Sequence, residues 1–554
     1  MIGVLASDAE HPVVREFFEL FKTPWEFYRS GAQYEVLICS DLRLPSNSAK
    51  LILVYGAEQK SFDRQKGIEL HSQSADTVLL YKGSRIPIYG GCLTFKSTGL
   101  QTLLHESTQR PAVMEIASNE QKFVRVGFDL FQEIRHLLTR GQPLAQAQIP
   151  ALELHITFVR DLILSCGITL LEIPPVPAGF SFIVCLTHDV DHAGIKNHKF
   201  DHTMFGFLYR ASVGSLIDLF RGRKSLKHVA VNWMAAFSLP LVYLGLAKDF
   251  WIQCDRYVDI EKGLTSTFFV IPRKANPGQG QDGPAPSKRA TRYDVSEIAD
   301  QIARLLSARC EIGLHGIDAW RDETKGRAEF EQIRRVTGAA ELGVRMHWLF
   351  FDEQSPAMLE KAGFSYDSTI GYNETIGYRA GTTQAFKPLG AERILELPMH
   401  IMDTALFYPT YLNLSPKDAR TVVAPLIENA ARFGGVLTVN WHDRSIAPER
   451  LWDDVYIRLL EDLKGRQAWF ATANQAVSWF RKRRAAMIES ATFSGDAARL
   501  KVSLSQNDDD LPGLRIRLYK AALGQTSSSG RAGREDGAFV DVVCNNSGEI
   551  QIAL

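Results

Sequence analysis

The chain has 554 residues, with 63 Lys and Arg against 63 Asp and Glu, so its formal net charge is zero. A hydrophobic share of 45% excludes a disordered polymer, and the lack of any cationic excess argues against a nucleic-acid binder. At roughly 150 residues per domain the length allows about three or four domains, or fewer if one is a large barrel.

The N-terminus, Met1 to Glu10, has no basic region and its apolar run stops after a few residues. It predicts a first β-strand and not a secretory signal, and so a cytoplasmic chain. Seven single cysteines without a CxxC pair agree with that compartment. They read as small buried hydrophobes, not as disulfides or a thiolate zinc site.

Residues 1–172 alternate short apolar strands with helical patterns. Val36–Cys39 and Leu51–Tyr55 predict buried strands, and Val78–Tyr81 with Ile86–Tyr89 predicts a hairpin around Gly83. Phe128, Phe131, Ile134 and Leu138 recur at helical spacing. This segment predicts an N-terminal α/β accessory domain without chemistry of its own. The Pro-rich joint Ile173–Gly179 ends it.

From 180 to 484 the pattern is strand, loop, helix, repeated. Strands are expected at Phe182–Leu186, Ser266–Ile271, Cys310–Leu314, Gly343–His347, Ile394–Leu397, Val436–Asn440 and Ala468–Ala471. Helices are expected at Val295–Leu306, Ala419–Phe433 and Leu451–Leu463. Seven strands joined by helices predict an α/β fold built on a parallel (β/α) barrel, incomplete at seven strands.

Two insertions interrupt this pattern, at about 198–250 and 276–288. The second, rich in Gly and Pro, predicts a flexible loop. Within the first, Trp233–Ala247 carries no charge but contains Pro240 and is too short to span a bilayer. It predicts a buried helical hairpin, with a peripheral contact at the inner membrane face through 233–247 as the alternative; Arg221, Arg223, Lys224 and Lys227 precede it. After the basic run Arg481–Arg484, alternating segments such as Leu500–Ser505 and Leu514–Tyr519 predict a small all-β domain over 490–554, with a flexible loop at Gly524–Gly537.

The chemistry gathers at predicted strand ends, where barrel enzymes place reactive groups. Directly after the first strand comes Thr187-His188-Asp189-Val190-Asp191-His192, two carboxylates and two imidazoles in five positions. So many ionisable groups at a buried strand end must be paired, hydrated or metal-bound, and Asp with His is a ligand set for zinc or a similar divalent ion. His315 ends a second strand, Arg345 and His347 a third, and Asn440-Trp441-His442-Asp443 a fourth. Together these residues describe a metal centre with acid and base partners.

These motifs resemble the polysaccharide deacetylases (carbohydrate esterase family 4, the NodB-homology domain), over roughly 180–480. Thr187-His188-Asp189-Val190-Asp191 is similar to the family's Thr-Phe-Asp-Asp-Gly, with one extra residue between the carboxylates. The resemblance implies Asp189 as catalytic base and Asp191 as metal ligand, roles the altered spacing leaves open to exchange. His315 matches the first histidine of the family's His-Ser/Thr-x-x-His, but Ala319 stands where the second would be. His347 is the expected replacement, with Asp318 and His192 as fallbacks. Arg345 resembles the arginine that orients the base, and His442 the general acid. Tyr366–Thr369 and Gly377–Thr382 resemble a divergent branch that carries an N-terminal domain.

The implied activity is metal-dependent, most fittingly zinc-dependent, removal of N-acetyl groups from an amino-sugar polysaccharide or glycan. Arg379, Trp348 and Trp441 are candidates for the sugar-binding wall, with core packing the rival reading of both tryptophans. Two other functions stay open: a catalytically impaired carbohydrate-binding scaffold on the same barrel, which the missing histidine favours, and a metal-dependent hydrolase of small linear amides.

Overall fold

The computed structural model describes residues 1–41, 49–96, 102–118, 121–251, 253–494, 497–504, 510–520 and 539–553. The loop expected at 524–537 lies outside them. The chain forms two compact units, one of residues 1–178, 380–382 and 479–554, the other of residues 179–379 and 383–478.

The first unit holds a six-stranded sheet ordered Trp25–Phe27, Ile2–Leu5, Val36–Cys39, Leu51–Tyr55, Gln121–Val126, Val113–Ser118. Its pairs are parallel except the last. The Leu70–Tyr81 and Ser84–Phe95 strands form the expected hairpin, turning at Lys82-Gly83 with both residues at positive φ, as a tight two-residue turn requires. The C-terminal β segment divides between two sheets. Met487–Ser494, Ala497–Ser503 and Gly548–Ala553 make one, while Leu514–Tyr519 and Phe539–Cys544 join Leu170–Glu172 in the other. The latter pairing ties the segment to the N-terminal residues.

The second unit is mixed α/β around a curled sheet. Its order is Leu395–Glu396, Tyr366–Asp367, Gly343–Met346, Glu311–Gly316, Ser266–Val270, Ile183–Val190, Val436–Asn440, Ile401–Met402, with Trp469–Phe470 paired to the start of Ile183–Val190. Every pair is parallel. The sheet has nine strands where seven are expected. The additions, Tyr366–Asp367 and Ile401–Met402, are two residues each, too short to show a period.

Ile183, Val184, Cys185 and Leu186 are fully buried, and so are their neighbours in Val436–Asn440, as central parallel strands covered on both faces must be. Helices flank the sheet. Pro416–Phe433 illustrates their local logic: Ser415 caps it by accepting from Asp418 N at 3.2 Å, Pro416 takes the first turn, and Gly434 ends it.

Both insertions differ from expectation. Residues 276–288 are folded: Gln279–Gly280 pairs with Gly283–Pro284, and Gln279 N donates to Asp318 Oδ1 at 2.8 Å. The first insertion is helical, at His202–Tyr209, Ser215–Phe220 and Leu226–Tyr243. It is not a buried hairpin, because large apolar side chains on both long stretches face out.

Candidate active site

The Ile183–Val190 strand runs four residues further than expected, so Thr187, His188 and Asp189 lie within it and not after it. Alternation then sends Thr187 and Asp189 to one face and His188 to the other. His188 Nδ1 donates to Trp441 O at 2.7 Å, its Nε2 lies 2.9 Å from Glu261 Oε1, and the ring packs on Tyr257 and Phe268. It belongs to the fold and not to the site.

The Asp189 carboxylate is held from two other strands. Arg345 Nη1 donates to its Oδ1 at 3.0 Å, and Asn440 Nδ2 donates to its Oδ2 at 2.7 Å. Arg345, on the Gly343–Met346 strand, also donates to Thr187 Oγ1 and to Ser368 O and Oγ, with no exposed surface. Burial alone would raise the Asp189 pKa, but Arg345, His315 and His442 outweigh it and hold the carboxyl below its ordinary value. Asp189 is therefore a buried carboxylate held in its ionised form.

One strand end further, Asp191 hangs from a backbone fixed by Thr291, whose hydroxyl donates to Asp191 O at 2.9 Å, and by Tyr293, which donates to Val190 O at 2.6 Å. Its Oδ1 lies 3.4 Å from His315 Nε2 and 3.3 Å from His347 Nδ1. His315 and Arg345 are register partners on adjacent strands, and His315 Nδ1 meets the Arg345 carbonyl at 2.9 Å. His347 Nε2 meets the Arg289 carbonyl at 3.1 Å, and Arg289 in turn donates to His347 O at 2.8 Å.

A carbonyl accepts only, so each ring, when neutral, places its proton on the nitrogen facing that carbonyl. The other nitrogens, His315 Nε2 and His347 Nδ1, then confront each other bare at 3.0 Å. Asp191 Oδ1, buried and without a hydrogen-bond donor, completes a set of three acceptors. Ligand atoms of these three residues lie within 4.8 Å of one another. Burial pushes the His347 pKa down to about 4, so a proton is a poor bridge between the rings. Three lone pairs without a proton between them are what a divalent cation needs, and two imidazoles with a carboxylate suit zinc.

His442 follows the buried Val436–Asn440 strand. Its neighbours continue the strand's pairing, with Trp441 N donating to Thr187 O and Asp443 N to Asp189 O. His442 Nδ1 lies 2.6 Å from Asp403 Oδ1, and His442 N donates to Asp403 Oδ2 at 2.7 Å. Burial would lower the imidazole pKa. Asp403, with help from Asp191 and Asp189, overrides it and lifts the ring to about 10. Its Nε2 faces Asp191 Oδ2 at 4.0 Å. Asp403 thus favours the charged form of His442, whose Nε2 faces the cluster.

The structure brings Asp189, Asp191, His315, Arg345, His347 and His442 together. It leaves both fallback ligands apart: Asp318 pairs with Lys325 and caps Gln279 N, and His192 faces His198 Nε2 at 3.3 Å. Among the wall candidates, Trp348 is half-buried with its ring centroid 5.9 Å from that of His347, on backbone at φ 64°. Such a left-handed non-glycine residue stores strain, as functional sites tend to. Arg379 is half-buried and donates to Gly371 O. Trp441 is fully buried, stacked on Tyr456 and edge-on to Phe407, so it is core and not wall. Sequence reasoning missed Asp403 and gave Asn440 and Ser368, though inside quoted motifs, no role of their own. The only trace of Asp403 was a short apolar run, Ile401-Met402, ending in a carboxylate.

No family model matches the chain, and neither does any curated protein. Solved structures give distant likenesses. A candidate polysaccharide deacetylase from Mycobacterium smegmatis is 19% identical, covering 56% of this chain and 94% of its own, with a TM-score of 0.34. Puue allantoinase is 15% identical over 56% and 94%, with a TM-score of 0.35. A candidate polysaccharide deacetylase from Pseudomonas aeruginosa PAO1 is 14% identical over 56% and 95%, again at 0.35. Likenesses this remote assign no residue a role; the site's chemistry stands on its own geometry.

Proposed function

We propose that the chain is a metal-dependent hydrolase that removes N-acetyl groups from the amino sugars of a polysaccharide or glycan. The observation that carries this reading is the convergence of Asp191 Oδ1, His315 Nε2 and His347 Nδ1, acceptors only, between an ionised Asp189 and a protonated His442. A divalent ion held by Asp191, His315 and His347, zinc being the best fit, would polarise the acetyl carbonyl and lower the pKa of a water from about 15.7 towards roughly 7.

Asp189 accepts the proton of the attacking water, and Arg345 keeps it ionised and aimed. His442 delivers its Nε2 proton to the departing sugar nitrogen, which leaves as a neutral amine instead of an amide anion. Asp403 fixes that ring and stabilises its charged form. The products are acetate and a free amino sugar. Trp348, beside His347, and Arg379 serve as the sugar-facing wall. A scaffold kept only for binding has no need of two buried ion pairs, Asp189–Arg345 and His442–Asp403, aimed at one point.

The test is acetate release from a panel of N-acetylated oligosaccharides, alongside small linear amides, with metal-free and zinc-loaded protein. The reading expects metal-dependent release from the saccharides. Release confined to small amides would transfer the site to the other hydrolase class, and no release from any zinc-loaded sample would remove the enzymatic reading.

A further inference from the structure

The helical insertion carries an apolar face that the rest of the unit does not cover. In the Leu226–Tyr243 helix, Val229, Asn232, Ala235, Leu239 and Val242 are buried at helical spacing, the last two and Ala235 against Met204, Phe207, Ala211 and Trp251. The opposite stripe should be polar in a water-exposed helix. It reads Leu226, Ala230, Trp233, Met234, Phe237, Leu241 and, just past the end, Leu244, and all of them are exposed. Phe237 is 74% and Leu244 71% exposed.

The preceding stretch repeats the pattern. Met204, Phe207, Ala211 and Ser215 are buried, while Phe205, Tyr209, Val213, Leu216 and Phe220 form an outward stripe ending in Phe220 at 88% exposure. The two stretches pack together, with Trp233 Nε1 donating to Ser215 Oγ at 3.3 Å. Single exposed apolar residues are ordinary, but two stripes on one insertion make a patch that marks an interaction surface.

Charge identifies the partner. Residues 196–250 hold eight Lys and Arg and three acids in a chain whose net charge is zero. The three acids are turned to structural use: Asp201 caps a helix and meets His198, Asp218 faces Lys224, and Asp249 accepts from Ile195, Lys196 and Trp251 N. Lys196, Lys199, Arg221, Lys227 and Lys248 are exposed. Among the described residues no helix is long and apolar enough to cross a membrane. Aromatic and aliphatic stripes beside exposed cations, without a span, match a helix pair lying in the headgroup layer of an anionic bilayer.

We propose that residues 198–250 dock the protein peripherally on an anionic membrane surface. This stands apart from the catalytic reading and survives its failure. The test is co-sedimentation of the full chain with vesicles of phosphatidylcholine, with and without a third of phosphatidylglycerol. The protein is expected to partition onto the phosphatidylglycerol vesicles, less so as salt rises.

The triple variant Phe205→Ser, Phe220→Ser and Phe237→Ser is expected to lose at least about tenfold in partition while keeping its melting temperature, because all three side chains face out. Arg221→Gln with Lys227→Gln, which removes two of the five exposed cations, should weaken the preference for anionic vesicles and reduce the salt dependence. Equal partition of wild type and triple variant overturns the proposal. So does a stable dimer in light scattering that the triple variant converts to monomer without any vesicle binding, which would make a second copy the partner.

Discussion

Asp403→Asn isolates the protonation of His442. The wild-type ring is lifted to about 10, against an ordinary value of 6.5, although burial works in the opposite direction. The difference of about 3.5 units corresponds to about 5 kcal/mol between the two protonation states, and Asp403 is the largest favourable cause. The amide keeps an oxygen for the ring and for His442 N but removes the charge, so the His442 pKa should fall to about 6.5 or below.

At pH 8 the protonated fraction then drops from nearly all to about 3%, a loss of roughly thirtyfold in any step that needs this proton, while at pH 5.5 the loss nearly vanishes. The assay is a kcat–pH profile of acetate release from pH 5 to 10, with the His442 imidazole followed by NMR. The basic limb should move from about 10 to about 6.5 or below in both readouts. A variant whose basic limb stays near 10, with the ring still titrating there, would refute the assignment of His442 as acid and of Asp403 as its support.

Asp189→Asn should lower kcat by about 10² to 10⁴ while leaving the zinc stoichiometry nearly intact, since the carboxyl is assigned to the water and not to the metal. His347→Ala should cost bound metal, measured by elemental analysis after dialysis; unchanged zinc content would reject it as a ligand. Gly343→Ala would put a Cβ 1.9 Å from the Tyr366 ring, and thermal melting should show a loss of about 1–3 kcal/mol from overpacking. The raised His442 pKa stabilises the fold fully below about 6.5, and that contribution is lost as pH rises through about 10. Urea titrations of wild type and His442→Gln should therefore differ most below pH 6.5 and converge near pH 10.

Much of the sheet was legible because its strands are unbroken apolar runs. Val36–Cys39, Leu51–Tyr55 and Val436–Asn440 have the bounds their residues suggest. The Ile183–Val190 strand was cut short for a physical reason: a run of His and Asp looks like a loop until Arg345 and Asn440 satisfy one face and Glu261 the other. Those partners lie far along the chain. The same distance hid Asp403 from His442. His347 could be singled out beside Arg345, but nothing local separates it from His192, whose partner turns out to be His198. The insertion's apolar content was plain in the sequence. Which of its faces lacks a cover is a tertiary property, and composition is silent on it.

The most direct measurement is X-ray absorption at the zinc edge of the zinc-reconstituted 554-residue chain, wild type against His315→Ala, His347→Ala and Asp191→Asn. The account predicts one zinc per chain with two imidazole nitrogens at about 2.0–2.1 Å and oxygen ligands besides, and a first shell that loses one imidazole in each histidine variant. A zinc shell that is the same in all four proteins, or a wild type that retains no zinc, would contradict it.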